Sequence, residues 1–338
     1  MRIAIFYPAS IQFYPGIEDE QGLGTSERAI IEFAEKAQAE GHAVEVHAQL
    51  RDGDYYREGV WYEEVRTMKM SDVIDCDVLL CYRTTLVPQT TAKRIVLWSM
   101  DDTQTPAMKD LAKEWQRFEA IIVLSDYHKK RFMQAGVDEQ RIVIVPPGVD
   151  DEHIPKEQKM TMEPYFIYAS APYKGLPMLA SMWPTIHEKT GMKLKVYSSM
   201  AMHGSDDDFF INLFRALKNM PGVELHGTIP QRELLFEMQQ ATAMLMPSTY
   251  PETYCNSAAE SIAMGTPVIT NDLGALKTTV RDAGIVIPSH PLDKDFRDSY
   301  VAAVEEFLRR KWPYTYQAQA HLAYTWNDMT KDIIKVIQ

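Results

Sequence analysis

Short apolar runs alternate with amphipathic helical patterns along this chain, and the alternation stops once and then starts again. Arg2–Tyr7 reads as a buried strand, Ser26–Glu40 as an amphipathic helix closed by Gly41, and Ala43–His47 as the next strand. Val78–Tyr82, Ile95–Trp98, Ala120–Leu124 and Ile142–Val145 continue the series. Such alternation specifies a doubly wound parallel sheet, because each parallel crossover uses a helix to bring the chain back. The series pauses over Pro146–Met162, which holds Pro146, Pro147 and Pro155 and reads as a linker. It resumes with Tyr165–Tyr168, Leu194–Tyr197, Val223–His226, Ala243–Met246, Pro267–Thr270 and Gly284–Ile287. Asp298–Lys311 and Tyr324–Gln338 read as helices, the second capped near Asn327 or Asp328. The expectation is an α/β protein of two Rossmann-like domains facing each other across a cleft, with ligands at the carboxyl ends of the strands.

Composition narrows the function. At about 100–200 residues per domain, 338 residues suit two domains. Lys plus Arg is 35 against 47 Asp plus Glu, a net charge of −12, so a general affinity for nucleic acid phosphates is not expected. No apolar stretch approaches the ~18 residues of a membrane span, and the opening run Ile3–Tyr7 is too short for a signal peptide. Cys76, Cys81 and Cys255 are odd in number and follow no metal-ligand spacing, which fits a reducing cytoplasm.

Met246–Thr270, MPSTYPETYCNSAAESIAMGTPVIT, carries the most information. A strand leads into a loop containing Glu252, and a helix then starts near Asn256 and stops at Gly265. The amides of Cys255, Asn256, Ser257 and Ala258 are left without helical acceptors, and the positive end of the helix dipole faces outward. Small side chains there let an anion approach closely. Two carboxylates beside an anion site make electrostatic sense when they accept hydrogen bonds from neutral hydroxyls, such as those of ribose and hexose. The other reading is a capped helix with two solvated glutamates.

The E-x7-E spacing of Glu252 and Glu260, followed by Ala263-Met264-Gly265-Thr266-Pro267-Val268-Ile269, resembles the retaining glycosyltransferases of family 4 (glycosyl transferases group 1), which have the GT-B fold. The resemblance implies an acceptor domain over residues 1–150, a nucleotide-sugar donor domain over 163–311, and a C-terminal helix, 312–338, crossing back to the first domain. It implies that Glu260 holds the nucleotide ribose and Glu252 the donor sugar. Lys174, in Tyr165–Leu176 (YFIYASAPYKGL), matches the lysine that neutralises the departing diphosphate. The family's arginine five positions earlier is Ala169 here. Gly24, in Gly22-Leu23-Gly24-Thr25-Ser26-Glu27, lies in a loop like the family's donor-phosphate loop, and Thr228 and Ile229 correspond to residues flanking the base. No metal and no other cofactor is expected. The partners implied are a nucleoside-diphosphate sugar, UDP- or GDP-linked, and a hydroxyl acceptor on a glycan, lipid or small molecule.

Other positions carry two readings. Relatives have a histidine after the fourth strand, where this chain has Leu97-Trp98-Ser99-Met100-Asp101-Asp102. Asp101 either accepts from a sugar hydroxyl or caps the next helix. Arg83 is an acceptor contact or a surface residue, and Ser125 a helix cap or an acceptor contact. The basic run His128-Lys129-Lys130-Arg131 is a solvated face or a peripheral contact with an anionic membrane. Asp206-Asp207-Asp208 precedes a helix whose dipole it complements, rather than forming a metal clamp. A sugar-nucleotide epimerase and a nucleotide-binding protein without transfer are the alternatives to a transferase.

Overall fold

A strand covered on both faces of a sheet must be apolar along its whole length, and the runs picked out above behave this way. The computed structural model describes residues 1–9, 11–17, 20–155, 164–310 and 323–338. The end of the linker and the stretch 311–322 therefore lie outside the described residues. The chain divides into two units. The first gathers residues 1–17, 24–148 and 324–338, and the second residues 18–23 and 149–323.

The first unit holds β1 (Arg2–Tyr7), β2 (Ala43–Ala48), β3 (Tyr55–Arg57), β4 (Val60–Glu64), β5 (Val78–Tyr82), β6 (Arg94–Trp98), β7 (Ala120–Val123) and β8 (Ile142–Ile144). Their order is β3-β4-β2-β1-β5-β6-β7-β8, parallel throughout except for the β3–β4 hairpin. That hairpin was not expected from sequence. Its turn, Glu58-Gly59, has positive φ at both residues (49° and 82°), as a two-residue hairpin turn of matching twist requires. Helices α1 (Thr25–Ala39), α2 (Leu111–Glu114) and α3 (Asp126–Gln134) belong to this unit.

The second unit is a six-stranded parallel sheet. Its strands are β9 (Tyr165–Ala169), β10 (Lys193–Tyr197), β11 (Val223–Leu225), β12 (Ala243–Met246), β13 (Val268–Asn271) and β14 (Gly284–Ile287). The order is β11-β10-β9-β12-β13-β14. One face is covered by α4 (Leu176–Thr190), α5 (Ile211–Lys218) and, later in the chain, Phe296–Arg309, around a core of Trp183, Leu194, Leu245 and Tyr300. The other is covered by α6 (Gln231–Gln240), α7 (Asn256–Ala263) and α8 (Leu276–Val280), which bury Met238, Ala258 and Val280 against Ile167 and Met244. Phe296–Arg309 is α9.

The last helix, α10 (Trp326–Ile337), packs on α1 in the first unit. Trp326, Met329, Ile333 and Ile337 are buried, and the Arg28 guanidinium lies 5.5 Å from the centre of the Trp326 ring. Thr325 and Asp328 close a reciprocal capping box at its start. Gly148 makes room for this return, since a Cβ there would stand 2.3 Å from the Trp326 nitrogen. Among the described residues no helix is long and apolar enough to cross a membrane.

Both sheets reverse their winding once, between β1 and β5 in the first and between β9 and β12 in the second. The crevice beyond the carboxyl ends of those strand pairs is where a doubly wound sheet presents loops to a ligand.

Candidate active site

In the second unit, the two loops at the reversal point deliver Lys174 and Glu252. After β9 the chain makes a short 3-10 turn, Pro172–Lys174, and then passes through Gly175 at φ 146°. A Cβ on Gly175 would fall 2.2 Å from the Pro247 carbonyl oxygen, so only glycine lets the two loops touch. The Thr249 amide donates to the Lys174 carbonyl at 3.1 Å and fixes the pairing. Glu252 is anchored from the other side: the Ala275 amide donates to its carbonyl at 2.8 Å, and Gly274 (φ 67°) lies too close to it for a side chain.

The Lys174 ammonium stands 3.0 Å from Glu252 Oε2 and 3.0 Å from Oε1, with Nζ 5.5 Å from the centre of the Tyr250 ring. Burial disfavours the ammonium, but Glu252 outweighs it together with Tyr173 and Cys255, so the lysine is held charged, above its ordinary pKa. Glu252 itself is 4% exposed.

Helix α7 begins just beyond Cys255, whose φ of 77° turns the chain sharply into it without a side-chain cap. The first amide with an intrahelical acceptor is that of Ala259, donating to the Cys255 carbonyl at 3.2 Å. The amides of Asn256, Ser257 and Ala258 precede it and have no helical carbonyl to meet. Burial, with Glu252 second, pushes the Cys255 thiol up to about 12, so it is a packed thiol and no nucleophile. One turn into the helix, Glu260 is buried, and its Oε1 accepts from Asn256 Nδ2 and Gln231 Nε2, both at 2.9 Å. Gln231 opens α6, next to Thr228 and Ile229. A Cβ on Gly22, which groups with this unit, would lie 3.1 Å from the Ile229 carbonyl oxygen. Gly24 starts α1 in the first unit, with its carbonyl accepting from the Arg28 amide at 3.1 Å.

In the first unit the reversal point holds a buried polar network. Arg83 follows β5 in the left-handed region (φ 53°). Its Nε and Nη2 donate to Asp101 at 2.7 and 3.0 Å, and its Nη1 donates to the Tyr7 hydroxyl at 2.9 Å. Tyr7 donates in turn to Glu27 Oε1 at 2.5 Å. Burial is the main force raising the Glu27 pKa, with Arg83 pulling the other way. Asp101 therefore does not cap the following helix. Asp102 takes the turn role by accepting from the Gln104 amide, and Thr105 precedes the next helical turn. Ser125 takes the capping reading, its Oγ accepting from the His128 amide at 3.1 Å. His128 is fully buried. Its Nδ1 accepts from the Leu124 amide at 3.2 Å, so Nε2 carries the proton and donates to the Asp101 carbonyl at 2.8 Å. Burial lowers its pKa to about 4.

Sequence reading missed Tyr7, His128 and Gln231, which reach their partners only through space. It did register the basic run at His128, yet three of the four residues are engaged: His128 is in the core, Lys129 pairs with Glu139 at 3.0 Å, and Arg131 with Asp102 at 2.8 Å. Asp207 accepts from Ser199 Oγ at 2.8 Å and the Met200 amide at 2.7 Å, so its carboxylate ties back to the loop after β10 rather than complementing the dipole of the helix that follows.

Residues 163–309 match the family model described as Glycosyl transferases group 1. The chain is 25% identical over 234 residues to a D-inositol 3-phosphate glycosyltransferase of Corynebacterium aurimucosum, covering 63% of this chain and 55% of that protein. It thus spans about half the length of this curated relative. Among solved structures it resembles sucrose-phosphate synthase from Thermosynechococcus elongatus (TM-score 0.74, 14% identity, 99% of this chain and 97% of that one). It also resembles Anabaena Alr3699/HepE in complex with UDP-glucose (TM-score 0.66, 13% identity, 99% and 98% covered). These likenesses establish the fold.

Proposed function

We propose, from the premise that residues 163–309 belong to the glycosyl transferases group 1 family on a GT-B fold, that this protein is a retaining glycosyltransferase. It would take its sugar from a nucleoside diphosphate, UDP- or GDP-linked, and pass it to a hydroxyl acceptor in the cytoplasm. A UDP-glucose complex of a structural neighbour and an inositol-phosphate relative support a nucleotide sugar and a polyol acceptor as the substrate classes. The observation that carries the reading is the Lys174–Glu252 pair at the reversal point of the second sheet, one loop away from the uncapped start of α7.

Each member has a task in this reading. The ammonium of Lys174 exchanges its carboxylate partner for the diphosphate, where negative charge grows as the sugar departs, and needs no metal to do so. Glu252, released from the lysine, accepts from a hydroxyl of the donor sugar. The amides of Asn256, Ser257 and Ala258, with Cys255 shaping the turn, receive a phosphate oxygen. Glu260, held by Asn256 and Gln231, accepts from the ribose hydroxyls, and Thr228 and Ile229 border the base. Gly24, Arg83 and Asp101 belong to the acceptor side. The anomeric carbon–oxygen bond to phosphate breaks, the acceptor oxygen bonds the same face of that carbon, and the acceptor proton passes to the diphosphate oxygen.

A thermal-shift panel of UDP, GDP, ADP and dTDP, followed by transfer assays on the responding donor, tests this. A ligand at 100 times its dissociation constant stabilises a fold by about 2.7 kcal/mol, a shift of several degrees. Glu260→Ala should abolish that shift, and Lys174→Ala should lower turnover by about 10²–10³. Parent-like binding and turnover in both variants would sink the assignment. Ala169, buried at the end of β9 where relatives carry a second cation, favours a weaker second reading, a nucleotide binder without transfer. Nucleotide-dependent stabilisation with no product from any acceptor would select it.

A further inference from the structure

Strands β2 and β4 run side by side in register, with His47 opposite Glu63. Glu45, two positions before His47, projects from the same face of the sheet. His47 is 4% exposed, and among the described residues neither Nδ1 nor Nε2 has a hydrogen-bond partner. An unmet buried polar atom costs about 1–3 kcal/mol. Both nitrogens nonetheless lie close to carboxylates: Nδ1 is 3.3 Å from Glu63 Oε2, and Nε2 is 3.7 Å from Glu45 Oε2. One ligand atom from each of the three residues falls within 4.8 Å of the other two.

We propose that Glu45, His47 and Glu63 form a divalent-cation site of one imidazole and two carboxylates, taking Zn²⁺ or Mn²⁺ and fastening β4 to β2. Ligands about 2.0–2.2 Å from a tetrahedral ion stand about 3.3–3.5 Å apart, and His47 and Glu63 already have that spacing. The half-exposed Glu45 closes the remaining gap by a rotamer change, and water completes the shell. The charge is right as well. Asp75 lies near Glu45 and Asp54 near Glu63, and Arg2, the cation that acts on Glu45, is shared with Asp75 and Asp77. A dication beside two carboxylates and a neutral imidazole leaves no net charge. The set uses none of the residues assigned to donor or acceptor, so the reading of the transfer site stands or falls separately.

The test uses the full chain dialysed against EDTA. Mn²⁺, which avoids thiolates, is titrated and followed by electron paramagnetic resonance, with metal content measured after dialysis. Zn²⁺ is titrated in parallel while the thermal midpoint is read. The expected result is one bound equivalent of Mn²⁺ and a raised midpoint. Glu45→Gln and Glu63→Gln, both on half-exposed side chains and so compatible with folding, should each weaken binding at least about tenfold. The double variant should abolish it. Absence of saturable binding, or binding that the double variant retains, would overturn the site. A third outcome counts against it equally: a midpoint that rises on acidification alone, with the metal ignored, would mean that a proton on His47 bridges the two carboxylates.

Discussion

At the residue scale, position 175 shows how narrowly a reactive group is placed. Gly175 joins a φ of 146° to a Cβ that would lie 2.2 Å from the Pro247 carbonyl oxygen, so any side chain must move one loop or the other. Gly175→Ala should cost at least about 2 kcal/mol of stability, read from the denaturant midpoint, and under the proposed reading it should cut transfer by displacing Lys174. A variant with parent-like stability would show that the loops do not meet as described. Cys76, Cys81 and Cys255 are all buried free thiols, and burial pushes both Cys81 and Cys255 up to about 12. A disulfide-exchange reagent at neutral pH should therefore find almost no reactive thiol in the native chain and all three after unfolding. Arg83 is the inverse case. It keeps Glu27 and Asp101 paired, and Arg83→Ala should destabilise by about 2 kcal/mol. That is less than the ~3–5 kcal/mol of a fully buried pair, because the Arg83 side chain keeps 21% of its surface exposed.

At the scale of elements, the buried parallel strands were legible because burial on both faces leaves apolar runs with few alternatives. The β3–β4 hairpin was not, since in β4 burial alternates but residue type does not, with Trp61 exposed and Glu64 buried, and β3 is three residues long. Its signal was present in Glu58-Gly59, a turn pair between runs rich in aromatic residues. Site residues followed the same division. Glu252 and Glu260 share one segment and could be read from spacing. Glu27 and Asp101 are brought together by the ends of three elements, and nothing in a local window says that Asp101 spends its carboxylate on Arg83 rather than on a helix cap. Glu64, closing β4, gives this edge a pH dependence. It accepts from the Leu50 amide at 2.9 Å and from the Arg66 guanidinium and amide at 2.7 Å. The Arg66 hydrogen bonds, against burial, hold its pKa down to about 2. Since an unfolded glutamate titrates near ~4.3, its contribution is complete above that value and disappears as the pH falls toward 2. Glu64→Gln should lower stability at pH 7 and flatten the acid limb of the stability curve. An unchanged acid limb would refute the pairing.

Across the whole molecule, the connectivity is discontinuous. The first unit is completed by residues 324–338, which come after the entire second unit. Trp326, Met329, Ile333 and Ile337 are all buried there, and at about 1.5–3 kcal/mol per large side chain their removal is comparable with a whole domain's stability. A chain ending at residue 323 should lose the first unit's unfolding transition and keep the second's, which calorimetry with proteolytic mapping would resolve. Loss of both transitions together would show that the units do not unfold separately.

The same return sets an order on biosynthesis. Domains commonly fold in the order in which they are made. Here the opening 148 residues leave the ribosome with the α1 face that receives Trp326 still bare, and it stays so while the 175 residues from Val149 to Ala323 are translated. The second unit, though made later, has all but its short 18–23 segment in one unbroken stretch and is free to mature first. For this protein, a chaperone would have most to protect in the first unit, and for longest.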